Sequence, residues 1–294
     1  MAEITVPYKN ASLWARTDLR TPFSGSGFEP ATLIDLLGWR AARQPEREAY
    51  IFLGDGEAEE GPVNYRELER RARSVAFRLQ SAEVATGERV LLLYPPGLEY
   101  VGAFLGCLYA GVIAVPAYPP RLNRPTSRLQ AIAADSKATV ALTTTRILSN
   151  LERRLAHAPE MTSLLWLATD DGEGSAREWR RPEIDGNTLA FLQYTSGSTT
   201  APKGVMVTHG NLLHNLAMIY HGLGYTPNSQ MVSWLPPYHD MGLIGGVLQP
   251  LYGGFPATLM SPMSFLQRPS GWLRTISRLG ADTGGGPNFA YDLC

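Results

Sequence analysis

Leu33, Leu36, Leu37 and Ala41 recur at three- and four-residue intervals, with Pro45 just beyond, and this spacing predicts a helix over 33–43. A second helix is predicted from Tyr65, Leu68, Ala72, Val75 and Leu79. Asn64 precedes it, with Glu67 three residues on, a variant of the capping box. Arg70, Arg71, Arg73 and Arg78 fall off that apolar stripe and are expected on a solvated face. Beyond residue 88 the pattern changes to short, continuous apolar runs at 90–94, 112–117, 139–143, 164–168 and 189–194. Helix-length segments at 98–110 and 128–135 separate some of them. Such alternation predicts an α/β chain with a parallel sheet covered on both faces. Further on, strands are expected at 205–208, 232–235 and 282–286, a helix at 242–248, and the opening turn of another after Pro287. Residues 1–32, punctuated by Pro7, Pro22, Gly25, Gly27 and Pro30, read as loop. Residues 170–181, rich in glycine and charge, are expected to form an exposed connection between lobes.

Charge and composition narrow the classes. The 294 residues carry 26 Lys+Arg against 27 Asp+Glu, a net charge of −1, so there is no electrostatic footprint for nucleic acid. With 44% hydrophobic and 18% charged residues, the chain is too apolar to be disordered. Uncharged stretches at 100–120 and 241–267 resemble membrane spans only by composition. Gly102, Gly106, Gly111, Pro116, Pro119 and Pro120 interrupt the first, and Gly253, Gly254, Pro256 and Pro262 the second, which would leave backbone groups unpaired in lipid. Neither is expected to span a bilayer. Cys107 and Cys294 form no disulfide framework and have no metal-ligand spacing, and the first residues lack the basic and apolar regions of a secretory signal. A cytoplasmic location is the expectation, with no metal ligands of the protein's own.

The chemistry concentrates in Thr195-Ser196-Gly197-Ser198-Thr199-Thr200-Ala201-Pro202-Lys203-Gly204, directly after an apolar run. Glycine lets the backbone turn its N–H groups toward one point, hydroxyls add donors there, and Lys203 supplies a mobile point charge. Each hydrogen bond to a charged oxygen contributes about 1.5–3 kcal/mol, so a few suffice to hold a triphosphate. A flexible linker is the plainer reading, but it needs neither Pro202-Lys203-Gly204 nor a strand on each side. A Walker A loop is disfavoured, because that motif places its lysine at the start of a helix and here Val205-Met206-Val207-Thr208 reads as strand. A second candidate is His239, between Tyr238 and Asp240. On the residues alone it reads equally as a polar turn.

The segment from Tyr194 to Gly204 resembles the phosphate loop of adenylate-forming enzymes, the superfamily of acyl-CoA synthetases, adenylation domains and luciferases. Ser233-Trp-Leu-Pro-Pro-Tyr-His-Asp-Met-Gly-Leu243 resembles that family's next motif. Within it, Val115-Pro-Ala-Tyr-Pro-Pro120, Arg128-Leu-Gln-Ala-Ile132, Ser261-Pro-Met-Ser-Phe-Leu-Gln-Arg268 and Gly284-Gly-Gly-Pro-Asn-Phe-Ala-Tyr-Asp292 are similar to fatty-acyl-AMP ligases. The resemblance implies an incomplete N-terminal adenylation domain over 33–294, in two interlocked αβ lobes of roughly 75–205 and 33–74 plus 206–294. It implies ATP and Mg2+ as cofactors, with nucleotide bound by Thr195, Ser196, Gly197, Ser198, Thr199, Thr200, Pro202, Lys203 and Gly204. Lys203 and His239 are then catalytic, and His239, Asp240, Met241, Gly285, Gly286, Pro287, Asn288 and Phe289 contact the acid.

The implied activity is ATP-dependent conversion of a fatty acid to its acyl adenylate. An acyl carrier protein in lipid, polyketide or nonribosomal peptide biosynthesis would take the acyl group on its phosphopantetheine arm. A fatty-acyl-CoA ligase and a non-catalytic nucleotide- or acyl-binding fragment are the alternatives. Trp234, Met241, Phe265 and Trp272 are candidates for an apolar tunnel and equally for core. The family's Mg2+-binding Glu, ribose-binding Asp and small C-terminal domain with its Lys have no candidate after Lys203. The chain is therefore expected to be incomplete and inactive alone.

Overall fold

A computed structural model describes residues 21–54, 59–119, 127–151, 163–170, 175–195 and 202–294. Residues 1–20, most of the predicted N-terminal loop, lie outside them, as do Ser196, Gly197, Ser198, Thr199 and Thr200. The chain runs α1 (Leu33–Arg43), β1 (Glu48–Leu53), β2 (Glu59–Asn64), α2 (Tyr65–Ser81), β3 (Arg89–Leu93), α3 (Leu98–Ala110) and β4 (Ile113–Pro116). It continues with α4 (Ser127–Ser136), β5 (Val140–Thr143), α5 (Thr145–Leu151), β6 (Leu165–Ala168), β7 (Leu189–Thr195), β8 (Lys203–Thr208) and the helix His209–Gly222. After β9 (Met231–Ser233) come a π-helix Met241–Leu248, a short helix Gln249–Gly253, β10 (Ala257–Met260) and the helices Pro262–Gln267, Ser270–Leu279 and Asn288–Leu293.

The strands form two sheets. One has the order β6-β5-β3-β4-β7-β8, the other β2-β1-β10-β9. Neither is purely parallel as the apolar runs predict, because β8 runs antiparallel to β7 and β2 antiparallel to β1, each at an edge. The links between those pairs are too short to cross a sheet, whereas a parallel neighbour needs a connection of about a dozen residues. The predicted strand at 282–286 is reduced to a single parallel bridge, Met231 to Thr283.

Continuous apolar strands follow from burial on both faces of the larger sheet. Val90, Leu92, Ala114 and Phe191 join a core shared with α2, α3 and the smaller sheet's Tyr50, Phe52, Ala257 and Leu259. Leu91, Leu93, Val115 and Ala141 face α4 through Leu129, Ile132 and Ala133. α3 buries every residue but Glu99. It meets α2 so closely that a Cβ on Gly106 would stand 2.5 Å from that of Val75. Its composition thus reflects a helix enclosed by protein, and no helix among the described residues is long and apolar enough to cross a membrane.

The arginines of α2 are not simply solvated. Arg70 and Arg71 pair with Glu67 at 2.7 and 2.8 Å, holding its carboxyl down to about pKa 2 by hydrogen bonding with Arg70 first. Arg73 pairs with Glu69 and lies over the Trp179 ring, while Arg78 donates to the Ala168 carbonyl. Residues 170–181 join β6 to β7 within one sheet rather than linking the two, and Trp179 docks there by donating its Nε1–H to Tyr109 O at 2.8 Å. Its ring gives Arg73 a partner beyond its own helix.

Candidate active site

β7 carries the chain to the glycine-rich loop, and its pleat sorts the side chains. Phe191, Gln193 and Thr195 share one face, and Leu192 and Tyr194 the other. On the second face Tyr194 donates its hydroxyl to Asp135 Oδ2 of α4 at 2.6 Å, and burial followed by this bond raises its pKa. Gly204 lies against the same ring, where a Cβ would stand 3.0 Å from Tyr194 Cζ. Its missing side chain serves the packing of the strand pair. Thr195 and Lys203 are register partners across β7 and β8, so both ends of the loop converge, and both residues are exposed. Arg128 of α4 donates to the Thr195 carbonyl at 3.2 Å, which adds a second cation beside Lys203 at the loop's base.

His239 sits on a turn between β9 and the π-helix, closed by its own N–H donating to Pro236 O at 3.1 Å. The expected α-helix at 242–248 is instead a π-helix, in which the Gln249 N–H reaches back five residues to Ile244 O. Wide turns leave room for the preceding backbone, and glycine is required there, since a Cβ on Gly242 would overlap Pro236 O and one on Gly246 would reach 2.7 Å from Ser233 Oγ. The His239 side chain is 61% exposed, with Nδ1 2.6 Å from Asp240 Oδ1. The Met241 N–H donates to that same carboxylate at 2.7 Å and approaches Nδ1 only at 3.3 Å. The shorter contact assigns the imidazole proton to Nδ1 and leaves Nε2 to face solvent or a ligand.

The larger sheet grips this turn. Tyr100 of α3 donates its hydroxyl to Pro237 O at 2.8 Å, Gln193 of β7 donates Nε2–H to Tyr238 O at 3.3 Å, and the rings of Tyr118 and Tyr238 lie 3.8 Å apart. Pro96 and Val101 from one sheet's side meet Leu235, Pro237 and Met260 from the other in a narrow apolar cleft behind the histidine.

The glycines at 284–286 belong to a different neighbourhood. A Cβ on Gly284 would stand 2.9 Å from Ile276 Cδ1, and one on Gly286 would stand 3.0 Å from Trp234 Cζ2, while Gly285 faces open space. Pro287 caps the helix Asn288–Leu293, and Phe289 meets Trp234 edge-on at 6.3 Å. Trp234, Phe265 and Trp272 pack on one another, Trp234 and Phe265 stacked at 3.8 Å. These three make core rather than a tunnel wall, and Met241 is 49% exposed away from them. Beyond the sequence-predicted residues, the structure adds Gln193, Asp135, Arg128 and Tyr100. Gln193 had a visible signal, an amide in the run Leu189-Ala-Phe-Leu-Gln-Tyr, whereas the others lie on distant elements.

A cavity of about 410 Å3 lies elsewhere, between α1, α2, α3 and Trp179. Its charges are already matched as Asp35 with Arg181 and Glu69 with Arg73.

These elements make a two-sheet α/β chain in which Thr195 and Lys203 pair at the ends of the glycine-rich segment and a histidine turn is held against the strand that carries Thr195. Residues 37–293 match the family described as AMP-binding enzyme, and the chain belongs to that family. It is 47% identical over 271 residues to the medium-chain-fatty-acid–[acyl-carrier-protein] ligase JamA of Moorena producens, covering 90% of this chain and 46% of that protein. It is 38% identical to the long-chain-fatty-acid–AMP ligase FadD26 of Mycobacterium bovis, covering 88% and 46%. The crystal structure of a fatty acyl-adenylate ligase from L. pneumophila, in complex with acyl adenylate and pyrophosphate, superposes with a TM-score of 0.82 at 42% identity, over 90% of this chain and 46% of that one. The chain spans about half the length of the curated relatives it matches.

Proposed function

We propose that this chain is the N-terminal part of a fatty-acyl-AMP ligase, in which a fatty-acid carboxylate attacks the α-phosphorus of ATP. A carboxylate–phosphorus bond forms, the bond to the β-phosphate oxygen breaks, and pyrophosphate leaves with the electron pair. The phosphopantetheine thiol of an acyl carrier protein then attacks the acyl carbon of the adenylate. A thioester bond forms, the bond from that carbon to the phosphate oxygen breaks, AMP leaves with the electron pair, and the thiol proton passes to solvent. The observation that carries this reading is the pairing of Thr195 with Lys203 across β7 and β8, at the two ends of the glycine- and hydroxyl-rich segment, on a strand whose Gln193 is bonded to the turn bearing His239. Two anions must meet in this reaction, so the work is positioning and charge stabilisation. In the proposal Thr195, Ser196, Gly197, Ser198, Thr199, Thr200, Pro202, Lys203 and Gly204 hold the β- and γ-phosphates. His239 orients the carboxylate, Asp240 fixes its tautomer, and Met241 and residues 285–289 border the acid.

The described residues contain no group of three His, Cys, Asp or Glu able to hold a metal ion. Mg2+ is commonly held by one or two carboxylates together with the substrate's phosphates, so its place in the proposal requires no such group, and no step is assigned to it. Lobes of roughly 75–205 and 33–74 plus 206–294, and a cytoplasmic setting, belong to the same proposal.

The test offers the complete encoded protein a labelled medium- or long-chain fatty acid, ATP, and either holo carrier protein or coenzyme A. Acyl-carrier product with little acyl-CoA supports the reading. Abundant acyl-CoA would favour a fatty-acyl-CoA ligase, and ATP binding without pyrophosphate release would favour a binding fragment. No turnover is expected from these 294 residues alone, since their relatives are about twice as long.

A further inference from the structure

Gln193 is the polar side chain on the inward face of β7, 8% exposed, between Phe191 and Thr195. A buried amide needs partners for two donors and an acceptor, and an unmatched one costs about 1–3 kcal/mol by the general rule for buried polar groups. The partner it has is the Tyr238 carbonyl, 45 residues away and next to His239. Because a carbonyl only accepts, the amide nitrogen must face it, which fixes the side chain's orientation. Gln193 Oε1 is then buried and, among the described residues, without a hydrogen-bond partner. A residue kept only to fill space there would be better as Leu or Met. Gln193 is thus the hydrogen-bonded strut between the strand that delivers Thr195 to the loop and the turn that displays His239.

We infer that Gln193 is a positioning residue, which holds the His239 turn at a set distance from the Thr195 end of β7 and transmits order from one to the other. Its consequence for catalysis rests on the proposed function, while the strut itself does not. Tyr100 holds the neighbouring Pro237 carbonyl from α3, so loss of Gln193 should loosen the turn without releasing it.

Hydrogen–deuterium exchange on the purified 294-residue chain tests this, comparing parent, Gln193→Met and Gln193→Leu. Both variants remove the donor, Met at nearly the same length and Leu as a second apolar shape should Met pack poorly. The His239 and Leu243 amides, which close the turn onto Pro236 O and His239 O, should exchange about tenfold faster in both variants, by the weakening of one local closure. Amides of β8 and α3 should be unchanged. Equal exchange over 236–243 in parent and variants overturns the proposal, and so does a uniform rise over the whole core, which would mean ordinary stabilisation. A second arm adds ATP. In the parent, protection should appear over both 195–208 and 236–243, and in the variants over 195–208 only. Absence of any ATP effect in the parent would count against the proposed function, while the first comparison would still decide the strut. In the complete enzyme, Gln193→Met should lower kcat for adenylate formation with KM for ATP nearly unchanged, the signature of lost positioning rather than lost binding.

Discussion

His209 accepts the Leu33 amide at Nδ1 over 3.2 Å, so the first residue after β8 caps the first turn of α1 from 176 residues away. The imidazole is 1% exposed, and burial pushes its pKa from the usual 6.5 down to about 4, against the opposing pull of Asp35 and Asp185. Protonating Nδ1 would remove the acceptor and set a positive charge at a helix N-terminus, where the macrodipole is itself positive.

A pH dependence follows. The unfolded chain takes up this proton near pH 6.5 and the folded chain only near 4. His209 therefore contributes fully above about pH 6.5, and that contribution declines as pH falls toward 4, by about 3 kcal/mol if the whole difference is realised. Between pH 7 and 5 the urea midpoint of the parent should fall. In His209→Asn, whose Oδ1 can accept from Leu33 without titrating, the fall should be shallower. Parallel slopes in the two proteins would refute the assignment.

Arg40 is buried with no carboxylate partner among the described residues, its guanidinium donating to Leu251 O at 3.2 Å and Tyr252 O at 2.5 Å at the end of the helix Gln249–Gly253. Gly254 follows in the left-handed conformation, φ +75°, and a Cβ there would overlap Arg40 Nη1. Gly254→Ala should destabilise by about 2–5 kcal/mol, combining left-handed strain with displacement of the guanidinium. Arg40→Met leaves two carbonyls unpaired and should cost about 2–4 kcal/mol. Combining the substitutions should cost less than their sum, because the clash in Gly254→Ala needs the guanidinium. Strict additivity in denaturant melts would show the two sites to be independent.

Lys203→Ala should leave the fold intact, because the side chain is exposed and the β7–β8 pairing at this position is made by backbone. Under the proposed function ATP half-saturation should rise by about 10- to 100-fold, the equivalent of one charged hydrogen bond. Isothermal titration of parent and variant with ATP, alongside thermal melts, separates the two quantities. Unchanged affinity removes Lys203 from the nucleotide site.

For His239→Ala, adenylate formation by the complete protein should slow by about 100-fold, in the usual range for a positioned polar group. Melting should shift little, since the side chain is 61% exposed and its Nδ1 contact is with its neighbour Asp240. Pyrophosphate exchange and calorimetry read these separately, and a large melting shift with normal exchange would make the histidine a structural turn residue.

Local chemistry, which depends on residues three or four apart, was legible without coordinates. α1 ends before Pro45, Asn64 caps α2 by accepting the Glu67 N–H, and the runs beginning at Val90 and Leu189 are strands. The strands that flank the cluster of glycine, hydroxyls and lysine, ending at Thr195 and beginning at Lys203, were visible in the same way. What tertiary structure decided was every relation across the chain. It set the antiparallel edges β2 and β8, brought Arg73 over Trp179 and Arg78 to the Ala168 carbonyl, and widened 241–248 into a π-helix over Pro236. It also joined Gln193 to Tyr238 and Leu33 to His209. Periodicity records only which face of an element is buried. The partner that a buried amide, imidazole or guanidinium finds depends on which distant backbone groups the sheet order brings within about 3 Å, the reach of a hydrogen bond.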